Sequence, residues 1–297
     1  MKRWVLIVLL LYSGQLASAQ SSAPPFLYSA FVRGGAIVIG SIVDVQHTPS
    51  GMGNLTVSID EQLRGPAVPK QIEIRFTLHG VSPKRGPFIW DRVHPEVGKT
   101  ILLILDPRTP WSAAAVVDAT SSDAPWVQAV KRMILLENSD KAAALDSISD
   151  SVPVISKLAV DLLLNKLCIS DDPCRATVLQ RLEAVALDKS RKETDRMQAV
   201  SIIGFKIYTP FAPESEISQR AISVLFRLLA DPDGQVRSEA VQILYGYFFG
   251  GGTIHPLIPK LDAQARSSIV SQLQSDVEGH QSLTLQEERL LELIGAK

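Results

Sequence analysis

Apolar and polar residues alternate through the first half of the chain and fall at helical spacing through the second, with the change near residue 120. Residues 36–45, Ala-Ile-Val-Ile-Gly-Ser-Ile-Val-Asp-Val, are rich in β-branched side chains and predict a strand with a bulge or bend at Gly40. After a glycine-containing turn at 48–54, Leu55, Val57 and Ile59 alternate with Thr56, Ser58 and Asp60, which predicts a second strand over 55–62. Ile72, Ile74, Phe76 and Leu78 alternate with Glu73, Arg75 and Thr77 to give a third. Residues 100–105 are almost wholly apolar and predict a strand buried on both faces; 113–119 predict a fifth. A turn of helix over 26–33 precedes them. Five short strands with a glycine bend in the first predict a small barrel or sandwich.

The second half repeats. Lys157-Leu158-Ala159-Val160-Asp161-Leu162-Leu163, Met197-Gln198-Ala199-Val200-Ser201-Ile202-Ile203 and Ser238-Glu239-Ala240-Val241-Gln242-Ile243-Leu244 align without gaps. Each carries Ala-Val, one polar residue and two aliphatics, and the alanines lie 40 and 41 residues apart. First helices are predicted over 141–148, 174–187 and 217–229, second helices over 154–167, 194–207 and 235–248, and terminal helices over 258–273 and 283–294. A small alanine at a fixed depth lets two helices approach, while the flanking Leu, Ile and Val fill the seam between neighbouring pairs.

Asp231-Pro232-Asp233-Gly234 forms a turn, followed by Val236-Arg237 and Ala240. In this stretch the chain resembles the HEAT-repeat family, whose second helix often begins Asp-Pro, then Val-Arg, then Ala. Arg196 and Arg237 lie three residues before their alanines, with Ser156 in that place in the first copy; Asp150 and Asp231 lie nine before, with Ser190 in the second. The resemblance implies a ladder of bonds between successive turns, incomplete in the first copy, with an ordinary solvated cap as the alternative. Over residues 26–120, the strand Val-Ile-Gly-Ser-Ile-Val, Glu61-Gln62-Leu63-Arg64-Gly65, and Val97-Gly98-Lys99-Thr100 before Ile101-Leu102-Leu103-Ile104-Leu105 resemble the OB-like barrels of the netrin-like and metalloproteinase-inhibitor families. Inhibitors of that family begin with a cysteine after signal removal; this chain has none in the region, so inhibition is not implied. The expected class is therefore α+β in two domains: a small OB-like β barrel at 26–120 and a C-terminal α-solenoid of HEAT-like helical hairpins at 123–297.

Composition adds a location. Residues 1–19 read as a signal peptide: Lys2 and Arg3 at the start, an apolar run over 5–12, and Ala17-Ser18-Ala19 as the cleavage site. The run is too short to span a bilayer comfortably, and no later run is long enough, so the mature chain is expected to be exported without stable membrane insertion. A net charge of −1 gives no general reason to expect a nucleic-acid partner. Cys168 and Cys174, the two cysteines, read as one disulfide in an oxidising compartment, or as two buried thiols.

The residues offer little chemistry. The five histidines, at 47, 79, 94, 255 and 280, fall in no metal-ligand spacing, no nucleophile elbow or phosphate loop is present, and no cofactor is implied. Arg85 and Trp90, in a basic loop with aromatics, suggest partner contact or a solvated loop with its aromatics tucked in. Tyr245 and Tyr247, with Phe248 and Phe249, suggest a helix interface or a ligand groove. Asn54-Leu55-Thr56 fits a glycosylation acceptor. The expected function is an exported, non-enzymatic scaffold that binds another protein through its repeat surface. The alternatives are an envelope protein whose β domain binds glycan, or a hydrolase at the domain junction using His79, Asp91, His94 and Glu96.

Overall fold

The computed structural model describes residues 27–47, 52–77, 93–108, 112–120, 124–169, 171–207, 215–249, 258–279 and 283–295. They fall into two compact units, Met1–Asn138 and Ser139–Lys297, in an α+β chain.

The first unit runs α1 (Leu27–Arg33), β1 (Ile37–His47), β2 (Met52–Arg64), β3 (Gln71–Thr77), β4 (Thr100–Leu105), β5 (Ala113–Asp118) and α2 (Pro125–Glu137). The strands form one curled antiparallel sheet in the order β3-β2-β1-β4-β5. Among the described residues β3 and β5 are its two edges, so the sheet is a half-barrel. Three register shifts between β1 and β2 bend the sheet, one of them at Ile39/Gly40, where the sequence predicts it. A Cβ at Gly40 would stand 2.4 Å from the Ser58 carbonyl oxygen, so the close approach of β1 to β2 requires glycine there.

Alternation sorts the side chains. Val38, Ile42, Leu55, Val57, Ile72, Ile74, Ile101 and Leu103 pack together on one face. Ile37, Leu102 and Ile104 point the other way and are also fully buried, so β4 is covered on both faces, as its unbroken apolar run predicts. α1 meets β5 and α2 meets β2, and their Leu27, Phe31, Val127, Val130 and Met133 are buried. Arg64, at the end of β2, ties the two helices together. Its guanidinium lies 4.4 Å from the centre of the Phe31 ring, donates to the Phe31 and Gly34 carbonyls at 2.8 and 3.1 Å, and pairs with Glu137 at 3.0 Å. β2 starts at Met52, inside the expected turn, because residues 52–54 pair with 75–77 of β3. Asn54 is thus an exposed strand residue rather than a turn residue.

The second unit is wholly helical among the described residues: α3 (Lys141–Ser147), α4 (Pro153–Leu162), α5 (Asp172–Leu187), α6 (Glu193–Ile202), α7 (Glu216–Leu228), α8 (Gly234–Phe249), α9 (Ala263–Glu278) and α10 (Thr284–Leu293). Side chains set the starts. Asp140, Asp171, Ser215 and Asp262 each accept a hydrogen bond from a backbone N–H of the first turn, and Pro153 and Pro173 sit where no N–H is needed. The Asp262 cap puts α9 five residues later than its apolar pattern predicts, behind Pro259. Consecutive helices pair: α3 with α4, α5 with α6, α7 with α8, α9 with α10. Next-but-one helices also meet, α5 with α7 and α7 with α9 in one layer, α6 with α8 and α8 with α10 in the other. Cys168 and Cys174, both buried, stand at disulfide distance across the α4–α5 connection, with Cα atoms 5.7 Å apart.

Candidate functional site

The three aligned alanines lie at the same depth in α4, α6 and α8: Ala159, Ala199 and Ala240 are all within 2 % of complete burial. The position three residues before each has a shared task, which is to close its own hairpin. The Ser156 hydroxyl donates to the Ile148 carbonyl at 2.7 Å, Arg196 Nε to the Ala186 carbonyl at 2.9 Å, and Arg237 Nη1 to the Asp231 carbonyl at 2.6 Å. Ala186 and Ile148 stand at the end of the preceding first helix, where intrahelical donors run out, and Asp231 stands in the turn that follows α7.

Only the arginines are long enough to reach onward. Arg196 also holds the Asp231 carboxylate, and its other nitrogen stands 4.0 Å from Asp233. Arg237 grips Asp276 with two bonds, Nε to Oδ2 at 2.7 Å and Nη2 to Oδ1 at 2.6 Å. Arg196, Asp231, Arg237 and Asp276 are all buried, so the chain from Ala186 through Arg196, Asp231 and Arg237 to Asp276 runs inside the helical unit. Buried ion pairs of this kind set which groups must meet more than they add net stability. The Asp150 carboxylate accepts from its own turn, at Val152 N. Ser190 likewise donates to Asp188 in its own turn.

A second polar seam joins the second helices. Lys206 contacts Asp161, Ser201 donates to Glu239, the Tyr247 hydroxyl donates to the Gly204 carbonyl, and Gln198 donates to the Pro153 carbonyl at 2.9 Å. Both α4 and α6 finish in one π-helical turn, Leu163–Leu167 and Ile203–Ile207, at equivalent repeat positions. Such turns often mark functional sites. Contact alone favours a Lys206–Asp161 ion pair, but burial opposes it. Burial pushes the Asp161 carboxyl up to about 6, while burial and then Lys157 push the Lys206 ammonium down.

Beside this seam the surface turns apolar. Phe205, on the π turn of α6, is 69 % exposed. Tyr245 and Phe249 lie with their ring centres 5.2 Å apart, and Phe249 is 38 % exposed. A Cβ at Gly246, between them in the chain, would meet nothing within 4 Å, so space is open there. Phe248 faces inward and meets the Phe226 ring edge-on at 6.1 Å. The aromatic cluster therefore divides between interior (Phe248), helix–helix bond (Tyr247) and surface (Tyr245, Phe249).

Arg85 and Trp90 lie outside the described residues, as do residues 1–19, His79 and Asp91. His94 is exposed and holds a left-handed backbone with φ 45°; among the described residues no cluster of three or more His, Cys, Asp or Glu is placed to hold a metal. Sequence reasoning missed Asp276, Glu287, Asp161 with Lys206, Phe205 and both π turns. The turns had a signal: Leu163 to Leu167 and Ile203 to Ile207 continue the ungapped alignment, with Lys166 and Lys206 in register. Asp276 had none, since it lies in α9, outside any copy of the Ala-Val pattern. Compared with protein-family models, with curated proteins and with solved structures, the chain matches none.

Proposed function

We propose that this chain is an exported, non-enzymatic binding protein in which a short HEAT-like solenoid holds another protein. The observation that carries the reading is the two-layer stacking of α5 to α10, with Ala199 and Ala240 buried and the arginine three residues before each bonded to a buried aspartate of the following hairpin. A quasi-one-dimensional array of that kind presents one layer of helices as an extended surface. On that layer Phe205, Tyr245 and Phe249 supply the aromatic anchors that dominate protein interfaces. The half-barrel order, with β1 between β2 and β4, is compatible with an OB-like barrel open between β3 and β5. Near-zero net charge argues against a nucleic-acid partner, and the buried Cys168–Cys174 pair fits an oxidising compartment. Removal of residues 1–19 on export completes the reading.

A photoreactive phenylalanine analogue at position 205 or 249, in the full chain expressed in its native host, tests this. The expected result is a discrete crosslinked protein from both positions and none from position 181, a half-exposed site on α5. Crosslinking from 181 alone, or no crosslink from 205 and 249 in any compartment, counts against the repeat surface as the binding element.

A further inference from the structure

The chain of buried charges does not end at Asp276. Glu287, in the first turn of α10, is 2 % exposed, and its Oε2 has no hydrogen-bond partner. Among the described residues the charged groups that face it are Arg237 from α8 and Asp276 from α9. Its neighbours in the chain, Glu288 and Arg289, are not buried. One guanidinium thus stands against two carboxyl groups, all three residues being buried. Arg237 spends two of its bonds on Asp276 and a third on the Asp231 carbonyl, which leaves Glu287 without a counter-charge of its own. An ionised, unpaired, buried carboxylate is costly enough that the group takes a proton or the site opens.

We propose that Glu287 carries a proton when α9 and α10 are docked on α8, and that losing this proton as the pH rises loosens the terminal hairpin. Burial is the main force holding the Glu287 carboxyl above its usual range; Asp276 adds to it and Arg237 opposes it. Because the folded value lies above the unfolded one, the stabilisation is complete below the ordinary glutamate range and is lost as pH rises through the folded value. The hairpin is held otherwise by apolar contact, with Ile269 and Leu273 of α9 and Leu290 and Leu291 of α10 all buried. Opening exposes these four and the end of α8. The device stands independently of the protein-binding function proposed above.

Hydrogen exchange on the full chain, read by mass spectrometry at about pH 5 and about pH 8 and corrected for the intrinsic rate, tests the proposal. Protection of α9 and α10 in the wild type should fall between the two conditions by more than any change in α5 and α6. Protection of α5 and α6 should stay level. Glu287→Gln, which fixes the neutral form, should abolish the fall. Asp276→Asn makes Glu287 the sole acid facing Arg237, so the dependence should reverse, with protection lost at the acid end. Level protection of α9 and α10 in the wild type overturns the proposal. So does a fall that persists unchanged in Glu287→Gln or in Asp276→Asn.

Discussion

Replacing Arg237 by alanine strikes the helical unit where its buried charges converge. The guanidinium makes two bonds to Asp276, at 2.7 and 2.6 Å, and one to the Asp231 carbonyl at 2.6 Å, and both acidic residues are buried. Its removal leaves Asp276 without a cation beside an already unpartnered Glu287. Breaking a buried pair from one side costs about 3–5 kcal/mol, and the orphaned carbonyl adds about 1 kcal/mol. Against a total stability on the order of 5–15 kcal/mol this is a large fraction. With an m-value of about 2–3 kcal/mol/M the urea midpoint, followed by far-UV circular dichroism, should drop by roughly 1–3 M. Arg289→Ala is the control: its partner Glu292 is in reach at 3.1 Å, but both side chains are about half exposed, so the loss should be under about 1 kcal/mol. The double replacement Arg237→Met with Asp276→Leu should recover most of the stability, since matched apolar groups avoid the desolvation of both charges. If Arg237→Ala costs no more than Arg289→Ala, the buried chain is not a structural element and the reasoning is refuted.

Three other outcomes follow from the same geometry. Arg64→Ala removes charged bonds to two carbonyls and to Glu137 as well as the contact with Phe31, and thermal unfolding should report a loss of about 2–4 kcal/mol, against about 1 kcal/mol or less for Lys131→Ala, whose pair with Glu61 is looser at 3.4 Å. Reduction of Cys168–Cys174, or Cys168→Ala with Cys174→Ala, should lower stability by only about 2 kcal/mol, because the bridge spans a sequence separation of 6 and closes a short loop. Asp161, whose folded carboxyl sits at about 6 against an ordinary 3.8, stabilises the fold fully below the lower value and progressively less as pH rises through the higher. The wild type should therefore lose up to about 2 kcal/mol more than Asp161→Asn over that window in a series of urea titrations, and parallel curves for the two proteins would remove Asp161 as the source.

Much of this architecture is written in the side-chain pattern. The strands are legible because Leu55, Val57, Ile72, Ile74 and Phe76 keep strict alternation, and β4 because its run Ile101–Leu105 abandons it; each pattern reports how many faces are covered. Gly40 announces its bulge because nothing larger clears the Ser58 carbonyl. The hairpins are legible because closely packed helices favour a small residue where they approach, and the buried Ala159, Ala199 and Ala240 stand at a visible period. What stays hidden depends on long-range partners. Arg64 reads as a residue near a strand end until α1 and α2 bring Phe31, Gly34 and Glu137 to it from 30 to 73 residues away. The seam pair Lys206–Asp161 spans 45 residues, and the Glu287 carboxyl reads as one more charge on a polar helix face until α8 and α9 close over it. The start of α9 differs from the one its apolar pattern predicts because such a pattern says where a helix can bury itself, whereas Asp262 decides where the backbone turns.

The claim that the helical unit is an array of equivalent hairpins is tested most directly by placing leucine, one at a time, at 159, 199 and 240 and measuring unfolding free energies beside Ala142→Leu, an exposed site on α3. Equivalent, closely packed positions predict losses of about 1–3 kcal/mol that agree within about 1 kcal/mol of one another, with the control near zero. A leucine accepted at any of the three as readily as at 142 contradicts the account.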